Sequence, residues 1–203
     1  MGIPFLPRER GRKGIPMPLT LVTPPAVEPV SLAQAKAHLK IDTSDDDALI
    51  APLIAAARAR AEWHTGRALV TQNWIQHLDA WPSSGIVEIP LPPLQSVTSV
   101  TVYARDDSAW VMSPSLYTVD AVSAPARLAL KPDTPPPTNL RTVNAIAIAF
   151  TAGYGDGAAD VPPLLKEAIL ELIAFLYENR GEAPVELPAG ALSLLAPLRV
   201  LRL

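Results

Sequence analysis

Residues 143–166 read VNAIAIAFTAGYGDGAADVPPLLK and predict a strand, a glycine turn and a helix start in one run. Within the stretch from Val143 to Phe150, small and large apolar residues alternate from Ala145 onward, which is the two-residue period of a strand. Pro162-Pro163 is typical of a helix start, and Asn179-Arg180-Gly181 is typical of a helix end. The run therefore predicts a strand that leads, through a tight turn, into a long helix.

That helix is unusually apolar. Its polar residues fall within one stripe of about 140° when each residue advances the helix by about 100°. Nearly every other position is apolar, and such a helix is expected to be covered on more than one side. The sequence leaves two alternatives for this cover: the rest of the same chain, or a neighbouring subunit.

Two further helices are predicted upstream. Ser31 with Gln34 forms a capping-box pattern, and the helix that follows ends near Lys40. Acidic residues from Asp42 to Asp47 favour the start of a second helix, in which Pro52 should cause a kink or a delayed start and Gly66 the stop. One face of this helix is predicted to carry Leu49, Ile50, Leu53, Ile54, Ala57 and Trp63.

Between the helices, the hydrophobic period changes to that of strands. The main strands are expected at 70–79, 97–104 and 143–150, and shorter ones at 86–89, 116–120 and 126–131. The predicted fold is α+β, a small bundle of three main helices with an inserted antiparallel β region and extended N- and C-terminal arms. Its parts are an arm at 1–30, a helical core at 31–69 and 158–181, a β insert at 70–150, and a loop-like C-terminal docking tail at 182–203.

Composition excludes several classes of protein. The 203 residues include no cysteine, so disulfides, thiolate metal sites and cysteine nucleophiles are ruled out. No apolar run is long enough for a membrane span, and the basic N-terminus lacks the apolar core of a signal peptide. The net charge is −3; residues 1–16 contribute +3 (four basic, one acidic), which leaves −6 for the rest. An acidic body disfavours tight binding to duplex DNA.

No residue pattern indicates catalysis, a metal or a cofactor. His38, His64 and His77 lack ligand spacing, and the acidic run from Asp42 lacks the glycine and the final carboxylate of a calcium loop. The loop Gly153–Gly157 follows a strand, as phosphate-binding loops do, but it has no Gly-Lys-Ser/Thr and carries Asp156. A tight turn is the favoured interpretation. A small nucleotide- or phosphate-binding enzyme that uses this loop is the alternative.

Four stretches of the sequence carry a resemblance when they are taken in order. They are Glu28-Pro29-Val30-Ser31-Leu32-Ala33-Gln34-Ala35-Lys36; Thr65-Gly66-Arg67-Ala68-Leu69; Leu91-Pro92-Pro93-Leu94-Gln95-Ser96-Val97 with Val102-Tyr103; and Phe150-Thr151-Ala152-Gly153-Tyr154-Gly155 with Val161-Pro162-Pro163-Leu164-Leu165-Lys166 and Tyr177-Glu178-Asn179-Arg180. Together they resemble the head–tail connector (adaptor, or head-completion) family of tailed phages, in its larger form with a β insert. Prophages and gene transfer agents encode similar proteins.

The resemblance implies a non-enzymatic virion subunit, made in the bacterial cytoplasm, that forms a homo-oligomeric ring of twelve copies. The ring would join the portal protein to a stopper or tail-completion protein and let DNA pass without sequence-specific binding; no membrane is involved. Another tail-completion role is the remaining structural alternative. Portal docking maps onto Leu192, Leu194, Leu195, Leu198, Arg199, Val200 and Leu203. Subunit-interface candidates on the apolar helix and its end are Leu170, Phe175, Tyr177 and Arg180.

Overall fold

The computed structural model describes residues 18–179 and 187–200, and predictions for the other positions lie outside it. The α+β fold class is confirmed. The four α-helices are α1 (Leu32–Leu39), α2 (Asp47–Thr65), α3 (Pro163–Glu178) and α4 (Ala189–Leu195). The eight strands are β1 (Leu19–Thr23), β2 (Gln72–Leu78), β3 (Ile86–Ile89), β4 (Leu94–Tyr103), β5 (Ala109–Val111), β6 (Tyr117–Asp120), β7 (Ala126–Leu130) and β8 (Ile146–Ala152).

The predicted caps of α1 and α2 are confirmed. Ser31 Oγ accepts from the Gln34 N–H, and the Gln34 side chain accepts from the Ser31 N–H, so the capping box is complete. Lys40 adopts a left-handed conformation after α1, and Gly66 does so after α2, where its N–H donates to Glu62 O. Pro52 lies inside α2, which begins at Asp47, so the predicted delay of the helix start is wrong.

The predicted buried face of α2 is correct except for Trp63. Ile50, Ile54 and Ala57 are buried, whereas Trp63 is 90% exposed. At about 100° per residue, Trp63 lies roughly 140° around the helix from Ile50 and therefore points away from the core. Assigning Trp63 to the apolar face was an error of helical phase.

The apolar α3 is covered by its own chain. It packs against α2 and α4, and Leu165, Ile169, Leu172 and Ile173 are fully buried in this helical core. The fourth helix, α4, lies in a tail that was expected to be loop-like, and this expectation is wrong. Ala191 of α4 is buried against α3, so tertiary packing stabilises a helix too short to form alone.

The larger sheet is antiparallel, with the strand order β1-β2-β8-β4-β5. The last strand in sequence, β8, therefore lies at its centre, where Phe150 pairs with Trp74 on one side and Val97 on the other. Both faces of β8 are mostly buried, in keeping with its run of apolar residues. The edge strands β1 and β5 were not predicted, since β1 falls in the supposed arm and β5 has three residues.

A second antiparallel sheet has the order β3-β7-β6, at the positions predicted for the shorter strands. The buried residues form two clusters: a helical cluster that includes Val30, Leu69 and Leu195, and a sheet cluster that includes Leu94 and Phe150. The proposed domain boundaries at 31–69, 70–150 and 158–181 stay a prediction. Within the described ranges, none of the helices is long and apolar enough to span a bilayer.

Candidate assembly surfaces

The glycine turn after β8 is packed into the boundary between the two clusters. The Gly153 N–H donates to Pro93 O at 2.9 Å, and the Tyr154 N–H donates to Leu69 O at 3.0 Å. Gly153 has φ +134°, and a Cβ at this position would lie 2.6 Å from backbone atoms of Val70 and Thr71. Only glycine fits there, because the space is filled by the neighbouring main chain.

In the same turn, the Asp160 carboxylate accepts the Gly157 amide hydrogen and fills the space beside Gly155. Asp160 Oδ2 accepts from the Gly157 N–H at 2.9 Å, and a Cβ at Gly155 would lie 2.3 Å from that oxygen. An anionic ligand bound at these amides would have to displace Asp160 and would be repelled by its charge. The geometry therefore supports a structural turn rather than a phosphate cradle.

Three of the four family-like stretches meet at this boundary. Gln95 Nε2 donates to Gly153 O at 3.0 Å and to Thr71 Oγ1 at 2.8 Å, and the Thr71 N–H donates to Gly155 O at 3.0 Å. The stretch that ends at Leu69 joins through the Tyr154 bond described above. Residues of these three stretches therefore connect the helical cluster to the sheet.

A network of charged and polar side chains connects the C-terminal part of α2 to the start of β2. Arg58 donates to Glu28 Oε2 at 2.8 Å and to Glu62 Oε2 at 2.6 Å. Glu62 Oε1 also accepts from the Leu69 N–H at 3.0 Å and from Gln72 Nε2. Burial raises the pKa of Glu62, while Arg58 and these hydrogen bonds act in the opposite direction. The Glu62 carboxylate thus accepts hydrogen bonds from three groups, the Arg58 guanidinium, the Leu69 N–H and the Gln72 amide.

The C-terminal segment folds back onto the end of α2. The Val200 N–H donates to Thr65 O at 2.8 Å, and Arg67 Nε donates to Leu198 O at 2.6 Å. Leu195 is fully buried and belongs to the helical core, so it holds the segment in place and is not available to a partner. Among the other docking candidates, Arg199 is exposed and the rest are half-buried, namely Leu192, Leu194, Leu198 and Val200; Leu203 lies outside the described residues.

Two of the interface candidates on α3 and its end are covered by their own chain. Leu170 and Tyr177 pack against the helical core of their own chain, and the Tyr177 hydroxyl donates to Asp46 Oδ2. Phe175 is half-buried, and Arg180 lies outside the described residues. Much of the apolar surface that suggested a partner is therefore covered within the subunit.

Sequence reasoning did not predict the exposure of Trp63, which is the most exposed of the described tryptophans. Its neighbour His64 lies near Arg199: burial and the charge of Arg199 lower the pKa of His64. Correct helical phase was the available signal, since Trp63 falls on a face of α2 with Pro52 and Ala59 rather than with Ile50. In the described part of the chain, no three His, Asp or Glu side chains are grouped to hold a metal ion.

Three solved structures from gene transfer agent (GTA) particles share this fold. The chain is similar to a subunit of "Neck of empty GTA particle computed with C6 symmetry" (TM-score 0.79, 24% identity) and of "Virion of native gene transfer agent (GTA) particle" (0.77, 24%). It is also similar to one of "Neck of native GTA particle computed with C12 symmetry" (0.75, 26%). Each match covers 92% of this chain and 97% of the other. The fold is therefore shared with subunits of these particles.

Part of the sequence matches a family model. Residues 29–113 match the family model described as "Phage gp6-like head-tail connector protein". No curated protein is significantly similar to the chain. The resemblance to the phage head–tail connector family, predicted from four short stretches, is confirmed.

Proposed function

We propose that this chain is the adaptor subunit of a tailed-phage-like particle, present as a twelvefold ring between the portal and the tail. The observation that carries the proposal is the match along 92% of the chain to a neck subunit in a particle computed with C12 symmetry. The connector-family match over residues 29–113 supports the same role independently of the fold. No catalytic step is part of this function.

The ring is expected to contact the portal on one face and a stopper or tail-completion protein on the other. The C-terminal segment is the proposed portal-docking element, now narrowed to Leu192, Leu194, Leu198, Arg199, Val200 and Leu203, because Leu195 is buried. Phe175 and Arg180 remain proposed subunit contacts, whereas Leu170 and Tyr177 pack against the helical core of their own chain.

DNA is proposed to pass through the lumen of the ring without being held. Outside residues 1–16, the chain carries a net charge of −6. Phosphate binding depends mainly on Lys and Arg, so an acidic ring exerts little grip on a moving duplex. A particle reconstruction with Lys and Arg lining the lumen would contradict this part of the proposal.

The adaptor role is tested by deleting the gene and imaging the particles by negative-stain microscopy. We expect DNA-filled or leaking heads without tails, next to separate free tails. Complementation with the wild-type gene should restore joined particles. Complete tailed particles in the deletion strain would refute the adaptor role.

A further inference from the structure

Helix α3 carries three glutamates on the side that faces away from the core. Glu167 and Glu178 are exposed, and Glu171 is half-buried. At about 100° per residue, the three fall within about 40° of one another, on the side of the helix away from the buried Leu165 and Leu172. We call Glu167, Glu171 and Glu178 the acidic stripe.

The acidic stripe is unfavourable for the helix that carries it. Glu167 and Glu171 lie at positions i and i+4, and like charges at this spacing destabilise a helix. Glu178 is the last residue of α3, where the helix dipole disfavours a carboxylate. Placements that break local rules are expected where they serve a contact or a function. The acidic stripe therefore indicates a positively charged neighbour.

In the part of the chain that the structure describes, no ion pair involves the acidic stripe. The lysine of α3, Lys166, donates to Ala158 O. The ion pairs of this part are Lys36–Asp47, Arg58–Glu28, Arg58–Glu62, Arg127–Asp120 and Arg141–Asp107. Residues 180–186, which follow α3, carry a net charge of −1 (one basic, two acidic), and residues 201–203 carry one arginine. Neither stretch can neutralise three carboxylates.

Positive charge is concentrated instead in residues 8–13, which we call the basic segment. It reads Arg-Glu-Arg-Gly-Arg-Lys and carries +3 (four basic, one acidic). In an extended conformation it would span roughly 17 Å. From Glu167 to Glu178, at about 1.5 Å per residue, the acidic stripe is also roughly 17 Å long. The two are thus opposite in charge and similar in length.

The chain is long enough for the basic segment to reach the helical core of its own subunit. Residues 14–18 join it to β1 and can span roughly 20 Å. Strand β1 has five residues, so its start lies roughly 13 Å from its end. At that end Thr23 pairs with Asn73, and the residue before Asn73, Gln72, donates to Glu62 of α2. Helix α3 packs against α2 in the same core.

We propose that the acidic stripe binds the basic segment of the same chain. The contact is electrostatic and lies at the surface, so each charge pair contributes little and salt weakens all of them. Attachment to the same chain favours the contact, because linked groups have a high effective concentration. The contact keeps four basic residues away from DNA phosphates, which they would otherwise bind. This consequence rests on the adaptor function above, whereas the contact itself does not.

Zero-length carbodiimide crosslinking of the purified full chain tests the contact, because Lys13 is the lysine of the basic segment. The reagent joins a lysine amine to a carboxylate, with loss of water, where the two groups touch. Mass spectrometry is expected to find Lys13 linked to the acidic stripe in chains of monomer mass. The yield should fall severalfold between about 0.01 M and 1 M salt, over which the Debye length shortens from about 30 Å to 3 Å.

Charge variants that keep both crosslinking groups make the test specific. Arg8→Gln with Arg10→Gln and Arg12→Gln removes three charges but leaves Lys13, and should lower the yield at Glu167 severalfold. Glu171→Gln with Glu178→Gln leaves Glu167 as the acceptor and should also lower its yield. Two exposed residues outside the contact, Glu88 and Arg105, provide matched controls. Glu88→Gln and Arg105→Gln should leave the yield unchanged.

The outcomes distinguish this contact from other contacts of the basic segment. Mixing chains labelled with nitrogen-15 and unlabelled chains shows whether a crosslink joins one chain or two. Crosslinks of mixed isotope content would mean that the segment binds a second copy, and the proposal would be overturned. Equal yields at Glu88 and at the acidic stripe, or no Lys13 crosslink at all, would also overturn it. The adaptor role is decided separately, by the particles of the deletion strain.

Discussion

Replacing Gly153 by alanine tests whether the glycine turn is structural. Its φ of +134° is a region used almost solely by glycine, which costs an alanine about 1–3 kcal/mol. A Cβ 2.6 Å from the Val70 and Thr71 main chain adds overpacking of about 1–3 kcal/mol, because the atoms that it meets belong to backbone and not to a movable side chain. We expect Gly153→Ala to lower the free energy of unfolding by about 2–6 kcal/mol.

Gly85 supplies the matched control, since it also has a positive φ, +73°, but a Cβ there would meet nothing within 4 Å. Gly85→Ala should therefore cost only the left-handed backbone energy, about 1–2 kcal/mol. The stiffer unfolded chain offsets both substitutions by a similar amount, about 0.4–1 kcal/mol, so the difference between the variants isolates the clash.

Urea unfolding followed by circular dichroism measures this difference, and thermal unfolding gives a second estimate. For a domain of this size, each 1 kcal/mol changes Tm by about 2–4 °C, so Gly153→Ala should melt several degrees below Gly85→Ala. Equal stability of the two variants would refute the packing argument. A rise in the Tm of the wild type with ATP or inorganic phosphate, lost in Gly153→Ala, would return the phosphate-binding interpretation.

Three other substitutions test the core, the charged network and the cap by urea unfolding. Leu172→Ala, at a fully buried site, should cost about 2–5 kcal/mol, whereas Leu164→Ala, at a site 39% exposed on the same helix, should cost about 1 kcal/mol or less; equal losses would contradict the packing of α3. Arg58→Met leaves the inward-turned Glu62 without its cation and should cost about 2 kcal/mol at pH 8. Burial raises the pKa of Glu62 and Arg58 lowers it, so removing Arg58 should raise this pKa further. A carboxyl whose folded-state pKa is raised destabilises the folded protein as pH rises through that pKa, so the loss should be smaller at pH 5, and a larger loss at pH 5 would contradict this sign. Ser31→Ala removes the capping box and should cost about 1 kcal/mol, and no loss would mean that the cap contributes nothing.

The sequence predicted those elements whose signals are local. The capping box at Ser31, the left-handed glycine at Gly66 and the paired prolines before α3 each act on adjacent residues, and the structure has all of them. The strands β2, β4 and β8 were found because their hydrophobic period continues over seven or more residues. Local chemistry was sufficient for these elements.

Elements that depend on tertiary contacts were missed. Strand β1 exists through its pairing with β2, which is far away in sequence. Helix α4 follows α3 in sequence, but it is short and depends on packing against that helix. The contact between the C-terminal segment and the end of α2 could not be predicted either, because the bond from Arg67 to Leu198 joins residues 131 positions apart.

The central position of β8 determines the order in which the chain can fold. Strands β2 and β4 leave the ribosome before β8, and until it arrives each lacks one of its two native neighbours. Closing these long loops is slow, and the unpaired edges of β2 and β4 are open to wrong partners in the meantime. Helix α3 follows β8 directly, so the sheet and the helical core are completed by one late stretch of chain. The surfaces that depend on β8 and α3 therefore form only near the end of synthesis, whereas all strands of the β3-β7-β6 sheet are made before β8.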